Sequence, residues 1–127
     1  MASPDTSVTD GELSVLEVLW QQGRATVKEI TAVVYDDQSF SKYQSVQKLL
    51  ERLEGKGCVR RDRSASAHTF EATVEREAII GHRLKQVAET LCGGSLTPLL
   101  MHLAGRTRLT PGERDALQKL IDARKKK

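Results

Sequence analysis

The sequence has few aromatic residues, few cysteines and no long hydrophobic run. Only 4% of the residues are aromatic, so a core must be built mainly from aliphatic side chains. No apolar run approaches the ~20 residues that a membrane-spanning helix needs. The N-terminus also has no basic segment followed by an apolar one, which a secretory signal would have. We therefore expect a cytoplasmic protein.

The cysteines and histidines show no spacing typical of a metal site or a disulfide. Cys58 and Cys92 lie far apart and form no C-x-x-C pair. In a reducing compartment such residues are usually small buried apolar side chains, which is our prediction for both. His68, His82 and His102 also lack metal-ligand spacing. We expect no metal and no cofactor.

The sequence gives little support for an enzyme. Cys58 and His68 could meet across a hairpin, but no third group that would orient the histidine and no oxyanion site can be recognised. Gly93-Gly94 has neither the preceding strand nor the G-x-x-x-x-G-K spacing of a phosphate-binding loop. We expect a binding protein.

The positive charge is concentrated in one part of the chain. The net charge of +3 over 127 residues is only mildly basic. Between residues 42 and 63, however, seven lysines and arginines face only three carboxylates. A local cationic patch of this kind favours binding to the phosphates of a nucleic acid.

One amphipathic helix, predicted from Phe40 to Gly57, dominates this basic interval. Val46, Leu49, Leu50 and Leu53 recur at i, i+3, i+4 and i+7, which gives the helix one apolar face. The outward face has cations and amides and no carboxylate, and these groups pair with phosphates and base edges. We interpret it as a recognition helix whose DNA contacts are Lys42, Tyr43, Gln44, Ser45, Lys48 and Arg52.

A small basic hairpin is predicted to follow this helix. Residues 58–63 and 67–73 have the pattern of short strands around a turn at 64–66. A helix followed by a basic hairpin is the outline of a winged helix. The alternative is a winged helix used for protein contacts, which would have a more apolar and less cationic face. Three arginines of the hairpin would neutralise phosphates: Arg60, Arg61 and Arg63.

Two helices are predicted before the recognition helix, each opened by a capping box. Thr9 with Glu12 starts the first, which Gly23 ends. Thr26 with Glu29 starts the second, and a polar connection at residues 36–39 follows it. We expect residues 1–8 to fray. The predicted core positions are Leu13, Leu16, Leu19 and Trp20 in the first helix and Val27, Ile30, Val33 and Val34 in the second.

Three further helices are predicted after Val74, one up to Gly93-Gly94, one from Ser95 to Ala104, and one that begins at Thr110-Pro111. They contain more apolar surface than short helices can bury among themselves, which predicts a homodimer. Packing back on the N-terminal part as a single globule is the alternative. The predicted dimer contacts are Ile80, Leu84, Val87, Leu91, Leu96, Leu99, Leu100, Leu103, Leu117, Leu120 and Ile121.

The predicted fold class is therefore mostly α with a small β-hairpin. Residues 1–74 would form a winged helix-turn-helix DNA-binding domain. Residues 75–127 would form a helical dimerisation region, which would place two such modules on the two halves of a palindromic site.

Three motifs in order resemble one known family. Ser45–Gly57 is similar to the pattern T-V-x-T-L-L-x-R-L-x-x-K-G, and Glu12–Trp20 is similar to E-x-x-V-M-x-x-L-W. Gly93–Leu100, followed by Leu109–Glu113, is similar to a C-terminal signature of the same proteins. Over nearly its whole length the chain resembles the penicillinase-repressor (BlaI/MecI) family of bacterial transcription repressors.

The resemblance implies a homodimer that binds a double-stranded DNA operator and blocks transcription of nearby genes. In the family's antibiotic-responsive branch, a membrane sensor with a cytoplasmic metalloprotease leads to cleavage of the repressor at an Asn-Phe pair, which aligns here with His102–Leu103. The copper-responsive branch has C-x-C motifs near the C-terminus, and this sequence has none. Lys48 stands where the family often has Thr, and Gln44-Ser45 replaces Lys-Thr, so the resemblance does not imply the operator sequence.

Overall fold

The computed structural model describes residues 3–36, 39–106 and 108–125. Over these residues it is mostly helical with one small antiparallel sheet, which confirms the predicted fold class. It divides into two compact units, residues 1–86 and 87–127. The elements in order are α1 Asp10–Gln22, β1 Ala25–Thr26, α2 Val27–Val34, α3 Phe40–Gly55, β2 Val59–Asp62, β3 Thr69–Ala72, α4 Arg76–Leu91, α5 Thr97–Arg106 and α6 Pro111–Lys125.

The division between the units lies inside α4, twelve residues after the predicted domain boundary at residue 74. The first part of α4 therefore belongs to the first unit. Its Ile79 is buried in the core of that unit. No helix in the described ranges is both long and apolar enough to cross a membrane.

The first two helices begin at the predicted capping boxes. The Thr9 hydroxyl accepts a hydrogen bond from the amide of Glu12, and the Glu12 carboxylate accepts one from the amide of Thr9. Thr26 and Glu29 make the same pair of bonds at α2. Gly23 ends α1 with a φ of 84°, a conformation that glycine adopts without steric cost. Local sequence therefore determines where these helices begin and where α1 ends.

The sheet has a third strand that the sequence did not predict. β3 lies in the middle, with β2 on one side and β1 on the other, and both pairings are antiparallel. Ala25 of β1 and Arg61 of β2 both lie opposite Phe70. β1 has only two residues, too few for an alternating pattern. It joins the end of β3 nearest the hairpin turn to the segment between α1 and α2.

The core of the first unit is aliphatic, as predicted, but one predicted core residue is wrong. Val33 is 54% exposed. The buried face of α2 consists instead of Val27, Ile30 and Thr31, which follow the helical i, i+3, i+4 spacing from the first residue. The hydroxyl of Thr31 is satisfied because it donates to the carbonyl of Val27 at 2.7 Å. A short polar side chain can therefore replace a valine in this core.

The N-terminal segment does not fray as expected within the residues that are described. The Asp5 amide donates to the carbonyl of Lys56 at 2.8 Å, and Val8 is buried in the core. On the other side, the Thr6 hydroxyl lies 3.1 Å from Nδ1 of His82, and Arg83 donates to the carbonyl of Val8. The segment is ordered because it fills the space between the end of α3 and the first part of α4.

A buried ion pair connects this segment, α1 and the end of α3. The Glu12 side chain is fully buried, and its Oε1 lies 2.7 Å from Nζ of Lys56. Lys56 also donates to the carbonyl of Ser7 at 2.7 Å. Burial opposes ionisation of Glu12, but the hydrogen bonds from Lys56 and Thr9 outweigh it and lower the pKa of the carboxyl below its ordinary value.

The two cysteines differ. Cys58 is fully buried as predicted, and burial raises the pKa of its thiol. Cys92 is half-buried, which corrects the prediction that both are buried. The reason is that α4 ends at Leu91, and Gly93 and Gly94, both with positive φ, turn the chain immediately afterwards. Cys92 therefore lies at a helix end and not inside a core.

In the second unit, α6 begins where it was predicted, at Thr110-Pro111, and its start is also a capping box. Thr110 accepts from the amide of Glu113, and the Glu113 carboxylate accepts from the amide of Thr110. Pro111 is the first helical residue, where its missing amide is harmless. Two predicted segments reach beyond the described residues: the polar connection at 36–39 includes Asp37 and Gln38, and the dimerisation region at 75–127 includes Thr107, Lys126 and Lys127.

Replacement of Lys56 by methionine should destabilise the protein by about 3 kcal/mol, because it leaves the buried Glu12 carboxylate without its cation. Urea denaturation followed by the fluorescence of the single tryptophan, Trp20, measures this loss. The matched control is Lys48→Met, since Lys48 is exposed. Equal stability of the two variants would contradict the role of the ion pair.

The same pair should contribute to acid sensitivity. The pKa of Glu12 is lowered in the folded state. Its contribution is therefore present above the ordinary range of a glutamate carboxyl and is lost as the pH falls through the lower folded value. The stability difference between the native protein and Lys56→Met should shrink below about pH 4.

Candidate nucleic-acid interface

The outward face of α3 presents side chains that can bind phosphates and bases. Gln44, Lys48 and Arg52 are exposed and follow one another at intervals of four residues. Val46, Leu50 and Leu53 are buried on the opposite face. The Ser39 hydroxyl caps the helix by accepting from the amide of Lys42. The helix therefore has its core face and its polar face where the periodicity predicted them.

Three other predicted contacts of α3 are half-buried, and each has a local partner or lines a cleft. Nζ of Lys42 lies 5.0 Å from the centre of the Tyr35 ring, a cation–π contact. The Ser45 hydroxyl donates to the carbonyl of Ser41, so it can offer only its lone pairs to a ligand. Tyr43 lines a cleft beside the hairpin. These three side chains are less free to reach bases than Gln44 and Lys48.

The outward face of α3 contains a carboxylate, contrary to the prediction. Glu51 is exposed and lies three helical turns after Phe40, which places it on the same outward face. The first two turns, residues 40–47, contain no acidic residue. The N-terminal half of the helix is therefore free of acidic residues, whereas in the C-terminal half Lys48 and Arg52 share the outward face with Glu51.

A cleft of about 470 Å³ lies between α3, the start of α2 and the hairpin. Tyr43 and Phe70 supply aromatic surface, while Lys28 and Arg61 supply positive charge. Glu51 is the one acidic residue that lines it within the described part of the chain. The cleft separates the exposed ridge of α3 from the hairpin, so the two can contact different parts of an extended ligand.

Carboxylates of the sheet neutralise much of the charge of the hairpin. Arg60 forms an ion pair with Glu71, which lies opposite it across the ladder. Arg24, just before β1, pairs with Asp62 at 3.2 Å and with Glu71 at 3.7 Å. The hydrogen bond from Arg60 is the main cause of the lowered pKa of Glu71. Arg60 is itself exposed, so it can exchange this partner for a phosphate.

Arg61 connects the hairpin to α3. Its guanidinium donates to Glu54 at 3.0 Å and lies 4.9 Å from the centre of the Phe70 ring. The side chain is only 21% exposed. Its Nε is buried without a hydrogen-bond partner among the described residues. We infer that Arg61 fixes the position of the hairpin, and that its charge reaches a bound polyanion only in part.

Arg63 differs from its two neighbours. It follows β2 at the start of the turn and is exposed. Within the described residues it has no ion pair or hydrogen bond from its side chain. Because its guanidinium is exposed and has no described partner, Arg63 is the arginine of the hairpin that is most available to a phosphate.

The sequence did not indicate three residues that border this surface: Arg24, Lys28 and Phe40. Arg24 lies beside Asp62 and Glu71 because of the unpredicted strand β1. Lys28 is exposed in the first turn of α2 and lines the cleft. Phe40, the first residue of α3, is exposed. Only the break in the apolar periodicity at Phe40 could have been noticed in the sequence.

No group of three or more His, Cys, Asp or Glu residues within the described ranges could hold a metal ion. The surface is thus a helix with an exposed polar ridge beside a basic hairpin.

The family model described as penicillinase repressor matches residues 8–123. The chain belongs to the penicillinase repressor family. As a member it is a DNA-binding transcriptional repressor, and its family consists of regulators and not of enzymes.

A search of curated proteins finds no significant match to the chain. Among solved structures, the chain is similar to BpsR of Bordetella bronchiseptica, whose DNA binding is regulated by 6-hydroxynicotinic acid. The sequence identity is 20% and the TM-score is 0.49, over 97% of this repressor and 83% of that chain. A likeness of this size establishes no shared ligand and no shared partner.

Replacement of Arg61 by alanine should lower the free energy of unfolding of the repressor by about 1 kcal/mol, because it removes the contacts to Glu54 and Phe70. Arg63→Ala is the matched control, since it removes the same group from the same hairpin without a described partner. Chemical denaturation of both variants measures the difference. If Arg63→Ala were as destabilising as Arg61→Ala, the role of Arg61 in holding the hairpin would be refuted.

Proposed function

We propose that this repressor binds a palindromic DNA operator as a homodimer, with α3 in the major groove and the hairpin along the neighbouring backbone. The observation that carries the proposal is the exposed ridge of α3, which has no acidic residue in its first two turns and lies opposite a buried apolar face. A major groove admits one α-helix and presents a distinct pattern of donors and acceptors for each base pair.

Within this proposal the base-reading residues are Gln44 and Lys48. The amide of Gln44 can form two hydrogen bonds with adenine, and the ammonium of Lys48 can donate hydrogen bonds to guanine. Lys42, Tyr43 and Ser45 lie at the edge of the contact, since each is half-buried and has a local partner or lines the cleft. Their part is to hold the neighbouring sugar and phosphate groups.

The phosphate contacts are assigned to Arg52, Arg60, Arg61 and Arg63. They supply affinity that falls with salt and does not depend on sequence. Arg63 and Arg52 contribute most because they are exposed without a described ion pair. Arg60 contributes after it leaves Glu71, and Arg61 contributes least.

A homodimer is supported by the apolar surface of the C-terminal helices. Every residue of α6 whose burial is described is exposed, including Leu117, Leu120 and Ile121. α5 likewise has no buried residue. Monomeric proteins rarely leave such contiguous apolar surface in water. The other assigned contacts are Ile80, Leu84, Val87, Leu91, Leu96, Leu100 and Leu103, which are exposed, and Leu99, which is half-buried.

Two modules related by a two-fold axis contact two half-sites, which adds affinity without any new type of contact. We assign DNA binding to residues 1–74 and dimerisation to residues 75–127. The repressor acts on chromosomal DNA, so we assign it to the cytoplasm.

Proteolysis is the proposed means of release from DNA. The bond between His102 and Leu103 lies within α5, and both side chains are exposed. A cut there would separate α6 from the rest of the chain and remove part of the dimer surface. The proposal rests on the position in the helix, since the residues differ from the Asn-Phe pair. The protease would belong to a pathway controlled by a membrane sensor.

The second candidate function is a winged helix that contacts another protein. Phe40 and Val33 are exposed on the first unit and could favour it. The cationic and amide ridge favours DNA, because protein interfaces are depleted in lysine at their core.

Lys48→Ala should weaken binding to the operator by about 1 to 3 kcal/mol more than binding to random DNA, because a base contact is lost. Arg63→Ala is the matched control. It should weaken both by the same factor and reduce the dependence of log affinity on log salt concentration by about one unit. Fluorescence anisotropy at several salt concentrations measures both effects. If Lys48→Ala lost the same binding free energy on the operator and on random DNA, Lys48 would be a phosphate contact and not a base contact.

Leu120→Asp should convert the dimer into a monomer, because it places a charge in an apolar contact, and Leu120 is 67% exposed in the isolated chain. Lys119→Asp is the control, since it introduces the same carboxylate outside the apolar stripe of Leu117, Leu120 and Ile121. Analytical ultracentrifugation gives the mass of each variant. A Leu120→Asp variant that remained dimeric would remove α6 from the interface.

A further inference from the structure

Phe40 is an exposed aromatic residue in a chain that has few. Its side chain is 72% exposed, whereas the other four aromatic residues are buried or half-buried. Phe40 is the first residue of α3. A large apolar side chain at this position gains nothing from the core of the repressor, so its contribution must be sought at the surface.

The position of Phe40 on the helix is informative. Phe40, Gln44 and Lys48 are spaced at i, i+4 and i+8, so they form one ridge along the outward side of α3. Recognition helices place their N-terminal residues against base edges. If Gln44 and Lys48 face bases, the side chain of Phe40 faces the next base edge along the groove.

The surroundings of Phe40 have the chemistry of one nucleotide edge. Phe40 and Tyr43 line a mainly apolar groove of about 430 Å³, together with Thr31 and Lys28. The apolar wall suits a methyl group, and the ammonium of Lys28 suits a phosphate. Thymine is the one base that presents a methyl group in the major groove, and phenylalanine is among the side chains that contact it.

We propose that Phe40 is a specificity-determining residue that contacts the C5-methyl group of one thymine in each operator half-site, while Lys28 binds a phosphate beside it. This inference rests on the proposed function, since it requires α3 to lie in the major groove. It adds an apolar contact to a surface that otherwise reads DNA through amides and cations.

The test compares the native repressor and Phe40→Ala on operators in which single thymines are replaced by uracil, which pairs identically but lacks the methyl group. Burial of one methyl group corresponds to an affinity change of roughly 3- to 10-fold. The native repressor should lose this factor at one thymine of each half-site. Phe40→Ala should bind the unmodified operator more weakly than the native repressor does, by this same factor. Its affinity should not change further when uracil replaces that thymine.

Val33→Ala is the matched control. Val33 is also an exposed apolar residue, but it lines a groove against α1 with Glu17 and Gln21. It should bind all these operators like the native protein. Because Phe40 is exposed, its replacement should leave the thermal unfolding curve unchanged, so a loss of binding cannot come from misfolding.

Three outcomes would overturn the inference. Phe40→Ala could bind the operator as tightly as the native repressor. Alternatively, its affinity could be lower than that of the native repressor by the same factor whether thymine or uracil stands at any position. The replacement could also change the dimerisation constant, in which case a second copy of the chain covers Phe40. In each case the native repressor would still prefer its operator to random DNA. Failure of that preference would instead refute the proposed function.

Discussion

The first unit depends on the buried ion pair between Glu12 and Lys56. One carboxylate caps the start of α1 and binds the lysine that follows α3, and that lysine also binds the carbonyl of Ser7. A buried charge without a partner is strongly unfavourable, so these three segments must come together in one arrangement. The C-terminal end of α3 is thereby fixed against α1. Its exposed N-terminal half is then presented in a defined direction.

The charges of the first unit divide into those that hold the fold and those that remain available. Lys56 and Arg61 are bound to Glu12 and Glu54, and Arg24 bridges Asp62 and Glu71. Lys48, Arg52 and Arg63 are exposed without a described ion pair. The net charge of the interval therefore overstates the charge that a phosphate backbone would meet. Recognition by this repressor is expected to depend on a few exposed side chains on α3 and one end of the hairpin.

Much of the fold could be predicted because its determinants are local. Capping boxes are contained within four residues, and the apolar spacing of α3 within eight, so both could be recognised in the sequence. β1 and the docking of residues 5–8 could not, because both depend on partners more than forty residues away, Phe70 and Lys56. Val33 was assigned to the core for a related reason: periodicity gives the angle between side chains on a helix but not which side faces the rest of the protein. The contacts of Arg61 with Glu54 and Phe70 likewise arise only after the hairpin has folded onto α3.

The central claim is that the repressor recognises one DNA sequence as a dimer. The most direct measurement is binding of the purified protein to fragments of the DNA upstream of its own gene, in excess random competitor, with the stoichiometry determined for each complex. The account predicts one fragment that remains bound in the competitor with two protomers per site, and whose affinity falls as salt rises. Binding that disappears from every fragment when competitor is added would contradict sequence-specific recognition. A resistant complex with a single protomer would contradict the dimer.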